Sequence, residues 1–155
     1  MNIQVTLPKD RIGEGTITWD GASDSYPCRG KADNQNAADH GNPTRDPKVA
    51  WGDHPDGVYD VPRVMTCTPD LAHSFGPYKL ALYAVSGDGK TRQDSEGANW
   101  DGLEAHGGDP QPDGVHLRAT YGCLRVHNST IIMLAAAANT ALESGESVTY
   151  TCTSN

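Results

Sequence analysis

Short segments rich in hydrophobic residues, several of them alternating with polar ones, are spread along the whole chain, and this pattern is typical of β-strands. The predicted strands are residues 3–7, 16–19, 58–61, 80–85 and 148–153. Asp20-Gly21 after the second segment and the glycines of residues 86–89 after the fourth are turn signals that end strands. The pattern therefore predicts a mainly β protein.

One segment alone has the features of a substantial helix. Asn128 or Ser129 can cap its first turn, an alanine-rich apolar stretch follows, and Gly145 is a stop signal. We therefore expect one principal helix near residues 129–143. Because apolar residues cover most of its circumference, we expect this helix to pack against the sheet.

Composition points to long connections between the strands. The 155 residues include 17 glycines and 10 prolines, and residues 29–47 are rich in Asn, Asp, Gly and Pro without periodicity. These residues predict a long polar loop. No internal repeat or composition shift divides the chain, so we expect a single domain over residues 1–155.

Charge and hydropathy exclude several partners. The net charge is −8 at pH 7, and no Lys/Arg cluster is present that could neutralise a run of phosphates, so nucleic acid is not an expected partner. No segment approaches 18 consecutive apolar residues, which argues against a membrane span. The first thirty residues lack the basic start and apolar run of a secretory signal peptide.

Two glycine-bearing motifs carry the candidate chemistry. His106-Gly107 is followed, after a spacer, by Thr120-Tyr121-Gly122-Cys123-Leu124-Arg125. A free thiol is mostly protonated at neutral pH, so a nucleophilic cysteine needs a positioned base or a dense set of local dipoles. The pair Cys123 and His106 therefore predicts a cysteine nucleophile with its base.

These motifs resemble the signature of the L,D-transpeptidase catalytic-domain family, enzymes that act on bacterial peptidoglycan. The matching residues are His106, Gly107, Thr120, Gly122, Cys123, Leu124 and Arg125. Residues 54–59 are similar to the Pro-x-Gly-x-Tyr motif of the family, and residues 146–150 are similar to its closing strand. The resemblance covers roughly residues 15 to 152. It implies an L,D-transpeptidase-like β-sandwich of mixed sheets with one principal helix near residues 129–143 and long loops.

The resemblance also implies a mechanism. Cys123 would attack a carbonyl at the L-centre of a peptidoglycan stem peptide and form a thioester, with His106 as base and then acid. The carbonyl of Gly107 would orient the imidazole. The thioester would pass to an amine acceptor, to a free D-amino acid or to water, which gives crosslinking, exchange or L,D-carboxypeptidase cleavage. The sequence leaves these outcomes open.

Further roles follow from the same resemblance. The expected oxyanion hole consists of the amides of Tyr121, Gly122 and Cys123. Arg125 is expected to clamp a substrate carboxylate with its planar guanidinium, and Thr120 and Tyr59 are expected to contribute to substrate binding. No cofactor and no metal are implied.

Two alternatives stay open. Many family members carry a histidine where this chain has Tyr121, so an inactive relative that only binds the wall is one alternative. Another cysteine peptidoglycan hydrolase is the second, although in papain-like wall endopeptidases the cysteine precedes the histidine, whereas here His106 precedes Cys123.

The remaining cysteines and histidines have plainer interpretations. A reduced Cys123 leaves Cys28, Cys67 and Cys152, which allow one disulfide or none. We expect His40, His54 and His73 to be surface residues. A zinc site from His106, His116, His127 and Cys123 has no supporting motif spacing.

The expected partners are peptidoglycan stem peptides, and the expected location is the periplasm, the cell envelope or the extracellular space. Residues 75–78 and the polar loop near 31–43 also resemble the small family branch that type VI secretion delivers into rival bacteria. If the chain belongs to that branch, an immunity or secretion protein is an expected partner.

Overall fold

The computed structural model describes residues 1–100 and 102–155, and β-strands make up most of its regular structure. Its strands are β1 (Asn2–Leu7), β2 (Gly15–Trp19), β3 (Tyr26–Arg29), β4 (Gly57–Asp60), β5 (Val64–Thr66), β6 (Tyr78–Ser86), β7 (Leu103–His106), β8 (Leu124–Val126) and β9 (Thr149–Ser154). Its α-helices are α1 (Asn34–Asp39), α2 (Ala72–Phe75), α3 (Gly87–Glu96) and α4 (Asn128–Glu143). Short 3-10 turns lie at Pro69–Leu71 and Gly97–Asn99. The prediction of a mainly β protein is confirmed.

The strands close into a barrel, whereas a two-sheet sandwich was expected. Their order is β4-β9-β1-β2-β3-β8-β7-β6-β5, and β4 also pairs with β6, so that eight strands form a closed ring with β5 beside β6. Pairs β1–β9 and β7–β8 are parallel, and the other pairs are antiparallel. A register shift between Val58 and Tyr59 lets β4 bond to both neighbours, because such irregularities bend a strand.

The interior of the barrel follows the alternation in the sequence. In β1, Ile3, Val5 and Leu7 are buried while Asn2 and Gln4 are exposed, as the pattern predicts. Tyr150 and Cys152 of β9 are buried beside them. Full burial of one large aliphatic side chain contributes about 1.5–3 kcal/mol, so this alternation fixes which face of each strand points inward.

Helix α4 spans Asn128–Glu143, which confirms the predicted principal helix, but its first turn differs from the prediction. The capping position is His127, with no side-chain capping bond. The Asn128 side chain instead accepts a hydrogen bond from the Gly108 N–H at 2.9 Å, so it ties the helix to the segment after β7. The helix ends at Ser144, followed by Gly145 with φ +82°.

Two helices lie where the sequence predicted irregular structure. Helix α1 falls inside the predicted 29–47 loop and begins where the Asp33 carboxylate accepts the Asn36 N–H at 2.9 Å. Helix α3 begins at the predicted turn of residues 86–89. Neither helix carries a broad apolar face, and an ion pair of 2.6 Å joins Lys90 to Asp94 on α3. Hydrophobic periodicity therefore gave no signal for them.

None of the four cysteines is bonded to another. Cys28 and Cys152 are buried, while Cys67 and Cys123 are partly exposed. The sequence left one disulfide or none, and the structure has none. Burial raises the pKa of Cys28 to about 12, which is typical of an inert core thiol.

The two faces of α4 allow a matched test of the packing. Leu134→Ala should lower the free energy of unfolding by about 2–5 kcal/mol, because Leu134 is fully buried and its truncation leaves a cavity. Ile132→Ala, on the exposed face of the same helix, should change it by less than about 0.5 kcal/mol. Urea unfolding followed by circular dichroism measures both values. Equal losses in the two variants would contradict this packing of α4.

Candidate active site

The parallel strands β7 and β8 place the segments that carry His106 and Cys123 side by side. His106 is the last residue of β7 and pairs in register with Arg125, and Cys123 directly precedes β8. Cys123 therefore lies beside Glu104, whose carboxylate is close enough to affect the Cys123 thiol. His106 is paired with Arg125, and Cys123 precedes Arg125 by two residues. Side chains two residues apart on an extended chain share a face, so this register puts Cys123 on the face of the sheet that carries His106.

The His106 imidazole is buried and has a defined tautomer. Its Nδ1 lies 2.6 Å from the Gly107 carbonyl oxygen, and since a carbonyl can only accept, Nδ1 carries the hydrogen. The other ring nitrogen, Nε2, therefore has a lone pair. Burial lowers the pKa of His106 to about 3, with the nearby charges of Arg125 and Lys79 acting in the same direction. At neutral pH the ring is thus an uncharged base.

Gly107 is held on both sides of its peptide unit. Its N–H donates to the Phe75 carbonyl at 2.9 Å, and its carbonyl accepts from His106 and also from Arg125 Nε at 3.3 Å. A side chain at this position would collide with the Asn128 amide oxygen. A larger residue would have to displace the Asn128 side chain, which bonds to Gly108, so glycine leaves the carbonyl that accepts from His106 in place.

The Cys123 thiol is protonated at neutral pH. Burial raises its pKa to about 11, and the Glu104 carboxylate adds to that rise. The positive charges of Arg92 and Lys79 act in the opposite direction. Lys79 forms an ion pair with Glu104 at 3.2 Å, which reduces the effect of the carboxylate. The thiol therefore needs a base to become a nucleophile.

Thr120 shapes the turn before Cys123. Its hydroxyl donates to the Cys123 carbonyl at 2.7 Å and accepts the Gly122 N–H at 3.1 Å. Gly122 has φ +119°, a left-handed conformation, and a Cβ there would lie 2.8 Å from the Gly52 carbonyl oxygen. Thr120 therefore stabilises the turn, where the sequence had assigned it a substrate contact.

This turn also changes the expected oxyanion hole. The Gly122 amide is engaged by Thr120, so it has no hydrogen left for a substrate oxygen. Within residues 1–100 and 102–155, the amides of Tyr121 and Cys123 make no hydrogen bond. Two of the three expected donors thus remain for a developing negative charge.

His54 is a central residue that the sequence analysis placed wrongly. It was expected at the surface, yet its side chain is completely buried. Its Nδ1 donates to the Gly122 carbonyl at 2.9 Å, and the Tyr150 hydroxyl donates to its Nε2 at 2.8 Å. Burial lowers the pKa of His54 to about 3, so the ring is neutral. Its place at the start of the 54–59 motif was the one signal that could have identified it.

The backbone of His54 is anchored as well. Arg11, itself 4% exposed, donates from Nε and Nη2 to the His54 carbonyl at 3.2 and 3.1 Å. Its Nη2 also forms an ion pair with Asp56 at 2.8 Å. These hydrogen bonds connect Arg11 through His54 to Gly122. They fix the carbonyl of the peptide unit whose N–H belongs to Cys123.

Arg125 serves the protein's own backbone. The residue is 5% exposed, and its guanidinium donates to the carbonyls of Gly107, Ala119 and Ser74 at 3.3, 2.9 and 2.8 Å. It thus fixes the segment between β7 and β8 together with α2. This geometry argues against the expected carboxylate clamp, because the side chain is almost wholly buried and three of its five N–H groups already have acceptors.

Tyr59 is a core residue. Its side chain is fully buried, and its hydroxyl donates to the Pro55 carbonyl at 2.8 Å. Its ring meets that of Tyr150 edge to face, with centroids 5.4 Å apart. Tyr59 therefore packs beside His54, and the expected substrate contact does not fit a residue without exposed surface.

A cleft of about 840 Å³ opens at Cys123. Its walls are formed by the segment before β4, the end of α3, strand β7 and the turn of Cys123. The lining residues include Val49, Ala50, Trp51, Phe75, Lys79, Arg92, Ser95, Glu96, Asn99, Glu104, Tyr121 and Cys123. Lys79 and Arg92 are its cations, and Arg92 is already bonded to the carbonyls of Gly52 and Tyr121.

The zinc site and the membrane span considered from the sequence can be compared with the described residues. Among residues 1–100 and 102–155, no group of three or more His, Cys, Asp or Glu side chains is suited to hold a metal ion. His73 and His116 are exposed and pair with Asp109 and Asp113 at 2.7 and 2.6 Å. In the same part of the chain, no helix has the length and apolar character needed to cross a bilayer.

Comparison with known proteins gives a likeness of fold. No protein-family model and no curated protein matches the sequence. The structure of the helical cell shape determining protein Pgp2 from Campylobacter jejuni matches with a TM-score of 0.54 and 18% identity, over 99% of this chain and 48% of that chain. Its K307A mutant matches with a TM-score of 0.53 and 16% identity, over 99% and 47%.

A structure of Bd1075 from Bdellovibrio bacteriovorus matches with a TM-score of 0.48 and 16% identity, over 86% of this chain and 42% of that chain. The chain thus spans about half the length of the Pgp2 chains that it matches. At these identities, the similarity to Pgp2 extends to the fold alone.

The protonation states of Cys123 and His106 predict a distinctive pH profile. Because the pKa of Cys123 is raised to about 11, the rate of alkylation by iodoacetamide should rise about tenfold per pH unit between pH 7 and 10. Mass spectrometry of the Cys123 peptide measures this rate, and Cys123→Ala gives the background from Cys67. A plateau below pH 7 would instead indicate a thiolate–imidazolium pair and contradict the neutral resting state.

Proposed function

We propose that this protein is a cysteine-dependent L,D-transpeptidase that acts on peptidoglycan stem peptides through a thioester acyl-enzyme. The observation that carries the proposal is a neutral His106, bound through Nδ1 to Gly107, on the same face of the sheet as a thiol that opens into a cleft. The motif resemblance supplies the substrate class. The likeness of fold to a cell shape determining protein is compatible with it, since peptidoglycan maintains bacterial shape.

In the first half of the reaction, His106 Nε2 takes the thiol proton as the Cys123 sulfur attacks the carbonyl carbon of the donor peptide. In the free protein this transfer is uphill, because the pKa of the thiol is high and that of the imidazole is low. We therefore expect proton transfer to accompany the attack. The resulting oxyanion would accept hydrogen bonds from the amides of Tyr121 and Cys123.

Collapse of the tetrahedral intermediate breaks the C–N bond. The protonated His106 returns its proton to the departing amine, a D-amino acid leaves, and the acyl group stays on Cys123 as a thioester. A second amine or water then attacks the thioester, with His106 again as the base. Crosslinking, D-amino acid exchange and L,D-carboxypeptidase cleavage share these steps and differ only in the acceptor.

Lys79 is the best candidate for contact with a substrate carboxylate. It lines the cleft and is 19% exposed, and its ammonium lies 4.2 Å from the centroid of the Phe75 ring. Lys79 pairs with Glu104 and Arg92 pairs with Glu96, but only Arg92 also donates to two backbone oxygens. Arg125 is buried among carbonyls. The carboxylate contact expected of Arg125 is therefore reassigned to Lys79.

In this proposal residues 1–155 form one catalytic domain, and the protein works in the periplasm, the cell envelope or outside the cell, where peptidoglycan lies. An immunity or secretion protein would be a partner if the chain belongs to the type VI-delivered branch. The second candidate function is an inactive wall-binding relative. The observation in its favour is Tyr121, which stands where many members carry a histidine.

The nucleophile has a direct test. Cys123→Ala should abolish turnover of disaccharide-tetrapeptide muropeptides, by at least about a thousandfold, because Cys123 carries the only thiol among the described residues that line the cleft. Cys67→Ala removes a cysteine outside the cleft and should leave turnover unchanged. Product masses measure turnover, and a carbapenem should add its mass to Cys123 alone.

Circular dichroism melting of each variant shows whether it folds. Turnover in a folded Cys123→Ala protein would overturn the enzyme assignment. Wall binding without turnover in the parent protein would favour the inactive relative.

His54 allows a second test, because two amides mimic its two nitrogens separately. His54→Asn keeps an N–H near Nδ1 for the Gly122 carbonyl, while His54→Gln places its amide nearer Nε2 and Tyr150. We expect the Gln variant to lose about 10–100-fold in kcat, the value of a buried hydrogen bond of about 1–3 kcal/mol, with the Asn variant closer to the parent. Steady-state kinetics on the tetrapeptide donor measures both. Equal losses, or an unchanged kcat in the Gln variant, would show that His54 does not position the turn.

A further inference from the structure

Three aromatic rings form a wall at the edge of the Cys123 cleft. The rings of His40 and Trp51 stack with centroids 3.6 Å apart and an interplanar angle of 11°, and Tyr121 lies against Trp51 at 5.4 Å and 55°. Trp51 and Tyr121 line the cleft, and Tyr121 is 58% exposed. The catalytic steps described above use none of these side chains. We call His40, Trp51 and Tyr121 the aromatic wall.

The backbone of Trp51 is held in an unfavourable conformation. Its φ is +68°, a region that a bulky residue rarely adopts. The surrounding bonds keep it there: the Asn42 side chain donates to the Ala50 carbonyl at 3.2 Å, and Arg92 donates to the Gly52 carbonyl at 3.3 Å. Such strain persists only where the surroundings enforce it, and it is concentrated at functional sites. The segment is thus fixed with the indole at the cleft.

Other walls of the same cleft are polar. Asn99, in the 3-10 turn after α3, provides an amide, and Ser95 and Glu96 at the end of α3 add oxygens that can still accept while they bond to Arg92. A pyranose ring has the complementary character, since its C–H groups form an apolar face and its hydroxyls project from the rim. Neutral aromatic rings suit the apolar face, and polar side chains suit the hydroxyls.

We propose that the aromatic wall is a subsite for a sugar ring of the glycan strand that carries the stem peptide. The placement of the stem peptide at Cys123 rests on the proposed function. A stem peptide brings charged groups, for which Lys79 and Glu104 lie beside Cys123. Trp51 and Tyr121 present neutral ring faces, which favour the uncharged sugar as the occupant.

The consequence is a preference for glycan-bearing donors. A disaccharide-tetrapeptide should bind at least tenfold more tightly than the free tetrapeptide, because the sugar adds contact with the aromatic wall. Binding is measured by calorimetry on the Cys123→Ala protein, so that no turnover interferes. The peptide-free disaccharide is the third ligand.

Trp51→Gly is the decisive variant. Glycine is favoured at φ +68°, which offsets part of the packing lost with the indole, so this variant should still melt cooperatively, yet the tenfold preference should vanish. Tyr83→Leu is the matched control, since it removes an aromatic ring that is 41% exposed outside the cleft. The control should keep the preference.

The outcomes separate the subsite from the chemistry. Equal affinity for the disaccharide-tetrapeptide and the free tetrapeptide in the Cys123→Ala protein would overturn the sugar subsite. An equal loss of affinity for both ligands in Trp51→Gly would also overturn it, because that result would mean that the aromatic wall contacts the stem peptide. Disaccharide binding that requires Trp51, in a protein whose parent form shows no turnover, would support the subsite and overturn the proposed reaction. Turnover by the parent protein without the tenfold preference would support the proposed reaction and overturn the sugar subsite.

Discussion

The parallel pairing of β7 with β8 is the contact on which the candidate site depends. Parallel neighbours need a long crossover, and here that crossover contains both Gly107 and the turn of Thr120 to Cys123. The pairing is short, because β8 has only three residues. Arg125 compensates with three hydrogen bonds from inside the sheet to carbonyls of the crossover and of α2. A cation placed in this way fixes the crossover on both sides, at Gly107 and at Ala119.

Buried polar groups complete the site, and nearly all of their hydrogen-bonding capacity is used internally. His106 and His54 are both neutral because burial disfavours the imidazolium, and each donates through Nδ1 to a glycine carbonyl. An unpaired buried polar group is costly, so each of these bonds limits the local backbone to one arrangement. The two carbonyls belong to Gly107 and Gly122, one beside the base and one beside the nucleophile. Two equivalent histidine–glycine contacts thus fix the two halves of the site.

The electrostatics of the cleft keep Cys123 as a neutral thiol and His106 as a neutral imidazole at rest, so the two do not form a thiolate–imidazolium ion pair. The thiol lies beside Glu104 and away from bulk water, which keeps it protonated, and Lys79 only partly offsets the carboxylate. A protonated thiol of this kind reacts slowly with adventitious electrophiles, and in the proposed reaction it depends on His106 for activation. In the proposed reaction, Cys123 would therefore react with a substrate whose carbonyl lies against the thiol and the free amides of the turn.

Much of the fold and part of the site could be predicted from the sequence, because the deciding information was local. Alternation of apolar residues located β1, β2 and β9, and the apolar run before Gly145 located α4. The spacing of the glycine motifs predicted that His106 and Cys123 act together, and the pairing of β7 with β8 places their segments side by side. Tertiary packing alone decided the closure of the barrel, since the bonding of β4 to both β9 and β6 has no sequence signal. It also decided which polar residues are buried. His54, Tyr59 and Arg125 are residue types that often lie at a surface or contact a substrate, yet here they are enclosed by backbone carbonyls and aromatic rings of other segments. Periodicity reports which face of an element is apolar, whereas the burial of a single polar side chain depends on the partner that the fold brings to it.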